Sequence, residues 1–449
     1  MSIKQVKINV DEVIVGMFIS GLDRPWTQTP FPIQGFYVRD LDEVKNLKTH
    51  CNHVYIDIIK GLSPGKSSLT IMEPSAKKKT SRRFKDLSAS IVVEPIKVNP
   101  NTYTDHEPLD KEVKRARQLH QRVFSAVGEV MSHIDSGTIA SVYETRRAAS
   151  DMVDSVLRNP DAFTWLSRIR ETDEHTYGHA VRSAVWAILF GRHAGLAKKE
   201  LDILALGVLL KDVGKTHIPK ELLFKADRNT QEQAEFETFI DRGIEILRRL
   251  PGVEPRVIAV VKTHCERLNG SGFPEHLRGD KIPLLGKIAG IVTFYDEITN
   301  PRGAKKSVPP SRAVSRLYEL RGVEFQEDLV VEFIRGIGLY PTGTLVELTT
   351  GEVGVVVEQN FDRRLKPKVM LLLNALKQPL RKHVLVDLAE DERRKQALLD
   401  AGTKHPDEVE KIEIVQDLEP GSYGVDIDEI RDNYLMKSMK KKLFSFFRE

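Results

Sequence analysis

The chain runs to 449 residues, of which 41% are apolar and 29% charged, and carries a formal net charge of +4. This length asks for two or three domains, the composition is that of an ordinary soluble globular protein, and so small a charge surplus gives no sign of a nucleic-acid partner. Two cysteines, Cys51 and Cys265, lie far apart without a CxxC spacing, which excludes a disulfide framework; there is no apolar leader core and no run of about 18 apolar residues, so the expected compartment is the cytoplasm.

In chain order, Val6, Ile8 and Val10 alternate with polar residues, and Val13 to Leu22 is a second apolar run opened by a turn at Val15 and Gly16. Further runs lie at Gly35 to Val38 and His53 to Ile58, with Leu41, Val44 and Leu47 at helical spacing between them. Residues 1–60 therefore read as a small α+β domain. Residues 61–105 are rich in Ser, Pro and Lys, including the run Lys77 to Arg83. This reads as a solvated linker, because a nucleic-acid arm would interleave aromatics with its basic residues.

From Leu109, the positions Val113, Ala116, His120, Val123, Val127 and Val130 recur every three or four residues, and Ile139 to Leu157 continues the pattern. Residues 106–160 are thus expected to be connecting helices whose apolar face needs a partner, either the next domain or a second subunit. Residues 161–340 are helix-compatible almost throughout. In 341–390 the period becomes that of strands: Val346 to Leu348, Val353 to Val357, Val369 to Leu373 and His383 to Val386, broken by Gly351 and Gly354. Residues 391–449 form a tail that ends in the basic, apolar stretch Tyr434 to Phe447, read either as an amphipathic helix at a membrane surface or as a terminal helix docked on the protein. There is no repeat with a period of 20 to 50 residues.

The residues able to carry chemistry fall in the helical segment. His175 and His179 are four apart, so a helix would set both on one face; a polar helix face is the plain alternative. Lys211-Asp212-Val213-Gly214-Lys215, followed by Ile218-Pro219, joins a carboxylate to two lysines. His264-Cys265 precedes Gly270-Ser271-Gly272-Phe273-Pro274. Histidines and carboxylates are the donors that hold the divalent ions which activate water and neutralise phosphate oxygens during phosphodiester hydrolysis. A lysine ammonium cannot ligate and repels a metal, although a cation inside such a shell could take the ion's place electrostatically. Cys265 would suit a soft ion such as zinc as a thiolate; the other reading is a small buried apolar thiol.

These motifs resemble the HD-GYP domain, a bacterial metal-dependent phosphodiesterase fold for cyclic di-GMP. The segments Glu12 to Phe18, Leu22 to Trp26 with Phe31, and Val54 to Asp57 resemble the small domain that often precedes it. The resemblance implies a mainly α protein, an HD-superfamily helical bundle with a small α+β N-terminal domain and a short β appendage after the bundle. It implies metal ligands at His179, followed by Arg182, and at Asp212, His264 and His175, with Lys215 in a catalytic role. It also implies a GYP-type loop at Gly272, Phe273 and Pro274, and phosphate contacts from Lys225, Arg302 and Lys305.

Several positions depart from the family pattern. Lys211 stands where a His is usual, and Cys265 replaces the second His of a pair. The His expected a few residues before Gly243 falls on Phe239 or Ile240, with Asp241 on the wrong face. Thr293 replaces the Asp three residues before Asp296, Phe273 replaces Tyr, and Asn269 replaces Asp. The expected function is therefore a cyclic di-GMP signalling protein whose degenerate domain binds nucleotide or a protein partner with little or no catalysis. One alternative is an active phosphodiesterase with a divalent Fe, Mn or Zn ion held by His179, Asp212 and His264 with help from His175; another is a scaffold that binds no nucleotide. The resemblance adds GGDEF-domain diguanylate cyclases as a partner class, and a homodimer is a further expectation.

Overall fold

The computed structural model describes residues 5–24, 31, 35–38, 41–58, 62, 93–104, 106–137, 141–167, 175–225, 227–301, 307–360, 363–400 and 412–426. The chain divides into two units, residues 1–90 and residues 91–449. In the first, β1 (Gln5–Asn9), β2 (Phe18–Leu22), β3 (Phe36–Tyr37) and β4 (His53–Asp57) make an antiparallel sheet in the order β1-β4-β2-β3. The apolar alternation sets the register, with Ile8 opposite Val54 and Val6 opposite Ile56. The helix α1 (Leu41–His50) buries Val44 and Leu47. This is the small α+β fold that the pattern predicts. The basic run at 77–83 lies outside the described residues.

The second unit is mainly helical. A long α2 (Leu109–Asp135) packs on α3 (Tyr143–Arg158), and the buried Glu112 pins the pair by accepting from Ser155 Oγ (2.7 Å) and from Arg158 Nε and Nη2 (2.9 and 2.8 Å). Then follow α4 (Pro160–Ser167), α5 (His175–Ala194), α6 (Lys198–Leu210), α7 (Lys220–Phe224), α8 (Thr230–Glu237), α9 (Phe239–Arg249), α10 (Pro255–Thr263), α11 (Leu284–Thr299), α12 (Pro310–Leu320) and α13 (Glu327–Ile337). Residues Ile203 to Leu210 of α6 are all buried. A helix apolar on every side belongs at the centre of a bundle, and α6 packs against α3, α5 and α10, while α5 also meets α11 and α13.

Residues 93–104 depart from the solvated linker expected for 61–105. They lie on the bundle as a strap: Glu94 N donates to Asp280 Oδ2 (3.0 Å), Ile96 N to Asp328 Oδ2 (2.7 Å) and Asn99 N to Ala194 O (3.1 Å). The backbone amides of this segment find acceptors on the helical unit, which a composition-based reading cannot anticipate.

After the bundle, β5 (Leu345–Leu348), β6 (Val353–Glu358), β7 (Lys368–Leu373), β8 (Pro379–Asp387) and β9 (Ile414–Asp417) form an antiparallel sheet in the order β8-β7-β6-β5-β9. Trp165 of α4 packs into its core with Val353, Val355, Val357 and Met370, and its Nε1 donates to Val357 O (2.7 Å). The β appendage was expected to end at residue 390. Instead β9 comes from the segment read as tail, and α14 (Leu388–Asp400) precedes it. The basic stretch at 434–447 lies outside the described residues. Among those described, no helix is long and apolar enough to cross a membrane.

Candidate functional site

Five parts of the second unit converge on one buried centre. The helix α5 supplies His179 and Arg182, and the end of α6 supplies Lys211, followed by Asp212 and a 3-10 turn over Val213–His217. The start of α9 supplies Phe239 and Ile240, the end of α10 supplies His264, and α11 supplies Thr293 and Asp296. Gly214 allows two of these parts to touch. A Cβ on it would lie 1.9 Å from Phe239 O and 2.6 Å from Gly243 N, so only glycine fits against α9 there.

Lys211 decides the electrostatics. Its side chain is 0% exposed, as is that of Asp212, and Lys211 Nζ donates to Asp212 Oδ2 at 2.7 Å. Lys215 Nζ lies 2.5 Å from the other carboxylate oxygen, Oδ1, and 4.7 Å from the centroid of the Phe239 ring. Asp212 thus stands between two ammonium groups.

The two imidazoles face this arrangement in a fixed tautomer. His179 Nδ1 donates to Asp296 Oδ2 at 2.6 Å, and His264 Nδ1 donates to Val261 O at 2.7 Å. Each leaves its Nε2 as a lone-pair acceptor. His179 Nε2 has no hydrogen-bond partner among the described residues, and Glu297 Oε1 lies 3.9 Å away at the half-exposed rim. Burial, then the charge of Lys211, lowers His179 to about 4 and His264 to about 3. Asp296, which accepts from Arg182 Nε (3.1 Å) and Asn300 Nδ2 (3.0 Å) as well as from His179, is held below the usual carboxylate range by Arg182 and His179 against the opposing effect of its burial.

Beside the centre runs the Gly270 to Pro274 loop. Glu266, itself buried, accepts from Glu275 N (2.8 Å) and Leu277 N (2.9 Å) and ties the loop down. A Cβ on Gly272 would lie 2.3 Å from Cys265 O and 2.4 Å from Arg267 N, both backbone atoms.

Comparison with known proteins identifies the family. The profile described as an HD domain matches residues 167–329, and one described as a domain of unknown function, DUF3391, matches residues 5–144. A cyclic di-GMP phosphodiesterase of Pseudomonas aeruginosa is 30% identical over 376 residues, covering 82% of this chain and 85% of the relative. The chain belongs to the HD-GYP family. A 3'3'-cGAMP-specific phosphodiesterase of Vibrio cholerae is 33% identical over 173 residues, 37% of this chain and 33% of the relative. A solved HDG"Y"P protein of Bdellovibrio bacteriovorus aligns over 74% of this chain and 98% of its own, with 17% identity and a TM-score of 0.43.

An HD-GYP domain implies divalent metal, and the donor set of this one does not fit it. Among the described residues no three His, Cys, Asp or Glu side chains gather closely enough to hold an ion. The alternative read from the sequence had His179, Asp212 and His264 share one. Asp212 has both oxygens engaged by lysines, and Arg182, Lys211 and Lys215 outnumber the two buried carboxylates Asp212 and Asp296, which repels a divalent cation. Phe239 and Ile240 are fully buried without a donor atom, and Asp241 is exposed. Thr293 offers a buried neutral hydroxyl. Cys265 packs against the apolar cluster of Ile218, Leu222, Phe239, Ile240 and Ile244, and burial pushes its thiol up to about 12.

Of the other predicted ligand and phosphate-contact residues, only Lys225 has a described side chain. His175 opens α5, and its side chain is not among those described. Lys225 pairs with Glu232 at 2.5 Å on the surface. Arg302 and Lys305 lie outside the described residues. Sequence reasoning used Asp296 to align α11 and missed its work in orienting His179. A carboxylate in the otherwise apolar run Ile288 to Tyr295 and just beyond was the available signal. Glu266 was missed as well, because a glutamate in a loop looks like surface.

Proposed function

We propose that this HD-GYP protein recognises a cyclic dinucleotide of the cyclic di-GMP class and signals its presence without hydrolysing it. The observation that carries the reading is Asp212, engaged at one oxygen by Lys211 and at the other by Lys215 inside a fully buried centre. Metal-assisted hydrolysis needs water activated on an ion and phosphate oxygens clamped by it, and these side chains do not supply the cage. What supports retained recognition is the preserved framework: the glycine contact between the 3-10 turn and α9, the clamped Gly270 to Pro274 loop, and kinship with phosphodiesterases named for cyclic di-GMP and 3'3'-cGAMP.

In this reading Lys225, Arg302 and Lys305 contact the two phosphates, and the partner class for output is a GGDEF-domain diguanylate cyclase. Calorimetric titration of the full chain with cyclic di-GMP and 3'3'-cGAMP, with manganese or with EDTA, tests it together with chromatography of the nucleotide after incubation. Saturable binding that EDTA leaves unchanged, with the nucleotide recovered intact, is expected. Metal-dependent conversion to the linear dinucleotide that Asp212→Ala abolishes overturns the proposal.

A further inference from the structure

The misfit between this centre and a metal has a positive side. We infer that the Lys211 ammonium is a built-in cation that has taken over the structural task of the divalent ion, leaving the centre complete without metal and one substitution away from binding it. The inference goes beyond nucleotide recognition and stands whether or not a nucleotide binds.

Three features of the geometry carry it. First, Lys211 occupies the C-cap of α6 with 0% side-chain exposure, and so brings a full charge to a place where lysines are seldom found. Nothing on a solvated surface explains it, whereas its contact with the equally buried Asp212 does. Second, the two imidazoles whose charge state Lys211 influences keep the tautomer of a ligand. His179 and His264 each give up their Nδ1 hydrogen to a fixed acceptor and keep Nε2 free of hydrogen, the state a metal ligand requires. Asp296 and Arg182 hold the first of these rings as an outer layer holds a ligand. Third, Lys215 closes the far side of Asp212, so the carboxylate has a cation at each oxygen and needs no ion to neutralise it. A lysine chain delivers its charge through a covalent tether, and such a cation cannot be chelated or exchanged.

This leads to a gain-of-function test on the full-length protein. Wild type and the variants Lys211→His and Lys211→Arg are expressed with added manganese, iron or zinc and desalted. Metal per chain is measured by mass spectrometry, and thermal unfolding is followed with and without EDTA. Wild type is expected to hold no stoichiometric metal and to unfold at the same temperature in EDTA. Lys211→His removes the ammonium, frees an oxygen of Asp212 and adds an imidazole beside His179 and His264, so it is expected to take up about one ion per chain and to unfold at a lower temperature in EDTA. Lys211→Arg keeps the charge and is expected to remain metal-free. Stoichiometric metal in wild type, with a melting temperature that EDTA lowers, overturns the inference, as does a folded Lys211→His protein indifferent to metal. If Lys211→His does not fold, wild type and Lys211→Arg decide: both metal-free and insensitive to EDTA supports the inference, and metal uptake by either overturns it. The nucleotide titration is a separate measurement, so failure of one proposal is distinguishable from failure of the other.

Discussion

On one side of the α10 C-terminus the Gly270 to Pro274 loop is pinned by close backbone approach; on the other, the buried centre is organised by paired charges. The loop is constrained by sterics, since Gly272 lies against the backbone of Cys265 and Arg267 and Glu266 fastens two amides. The centre is constrained by charge, and charge can be balanced in more than one way: a metal among carboxylates and imidazoles, or a lysine beside an aspartate. The two regions are therefore held by different forces, and the glycines of the loop say nothing about the chemistry of the centre.

The largest effect should come from breaking the balance itself. Asp212→Ala leaves Lys211 buried without its counter-ion, and loss of one partner from a buried pair costs about 3–5 kcal/mol. Urea unfolding of the second unit checks this, and a loss below about 1 kcal/mol would mean that the ion pair is not what holds the centre.

Acid should weaken the same region. Unfolded imidazoles take up protons near pH 6.5, while buried His179 and His264 resist down to about 4 and 3, so the unfolded state binds more protons across that interval. Stability is therefore full above pH 6.5 and falls as the pH drops toward 4. Buried Asp161, pushed up to about 6, acts in the opposite sense over much of the same window, but the two imidazoles and the depressed carboxyl of Asp296 outweigh it and leave a net loss. Denaturant titrations at pH 7 and pH 4 measure it, and Lys211→Met should flatten the dependence, because the lysine charge helps keep both rings neutral.

Smaller effects belong to the loop side. Gly272→Ala forces backbone to shift and should cost about 1–3 kcal/mol without altering the metal response of Lys211→His; a change in that response would show that loop and centre are not separable. Cys265→Ala should cost about 1 kcal/mol or less, and in wild type the protonated thiol should react slowly with iodoacetamide at neutral pH. Rapid alkylation would mean a thiolate and reopen the question of a soft-metal ligand.

Much of the fold is legible because packing writes itself into periodicity. Val113, Ala116, Val123, Val127 and Val130 mark the buried face of α2, and Val353, Val355 and Val357 mark the inner face of β6. What leaves no such trace is read less well. The strand β9 is four residues long with none fully buried, and the strap at 93–104 is held mainly through main-chain amides. In the centre, the departures from the family pattern are visible letter by letter, but a sequence cannot say that Lys211 is inside. Lysine is ordinarily outside, and only the fold shows that its charge is answered by the residue next to it. The partners of Asp296 are hidden for a related reason: His179 and Arg182 lie more than a hundred residues upstream.

The strap has a consequence of its own. Glu94 and Ile96 are recognised by their amides, at Asp280 and Asp328, and Pro95 sits between them. Sliding the segment by one residue in either direction would set Pro95 against one of those carboxylates, and proline has no N–H to give. The docking therefore rejects a shifted register whatever the neighbouring side chains are, which makes this stretch a ruler: it is indifferent to most substitutions at Glu94 and sensitive to the insertion or deletion of a single residue.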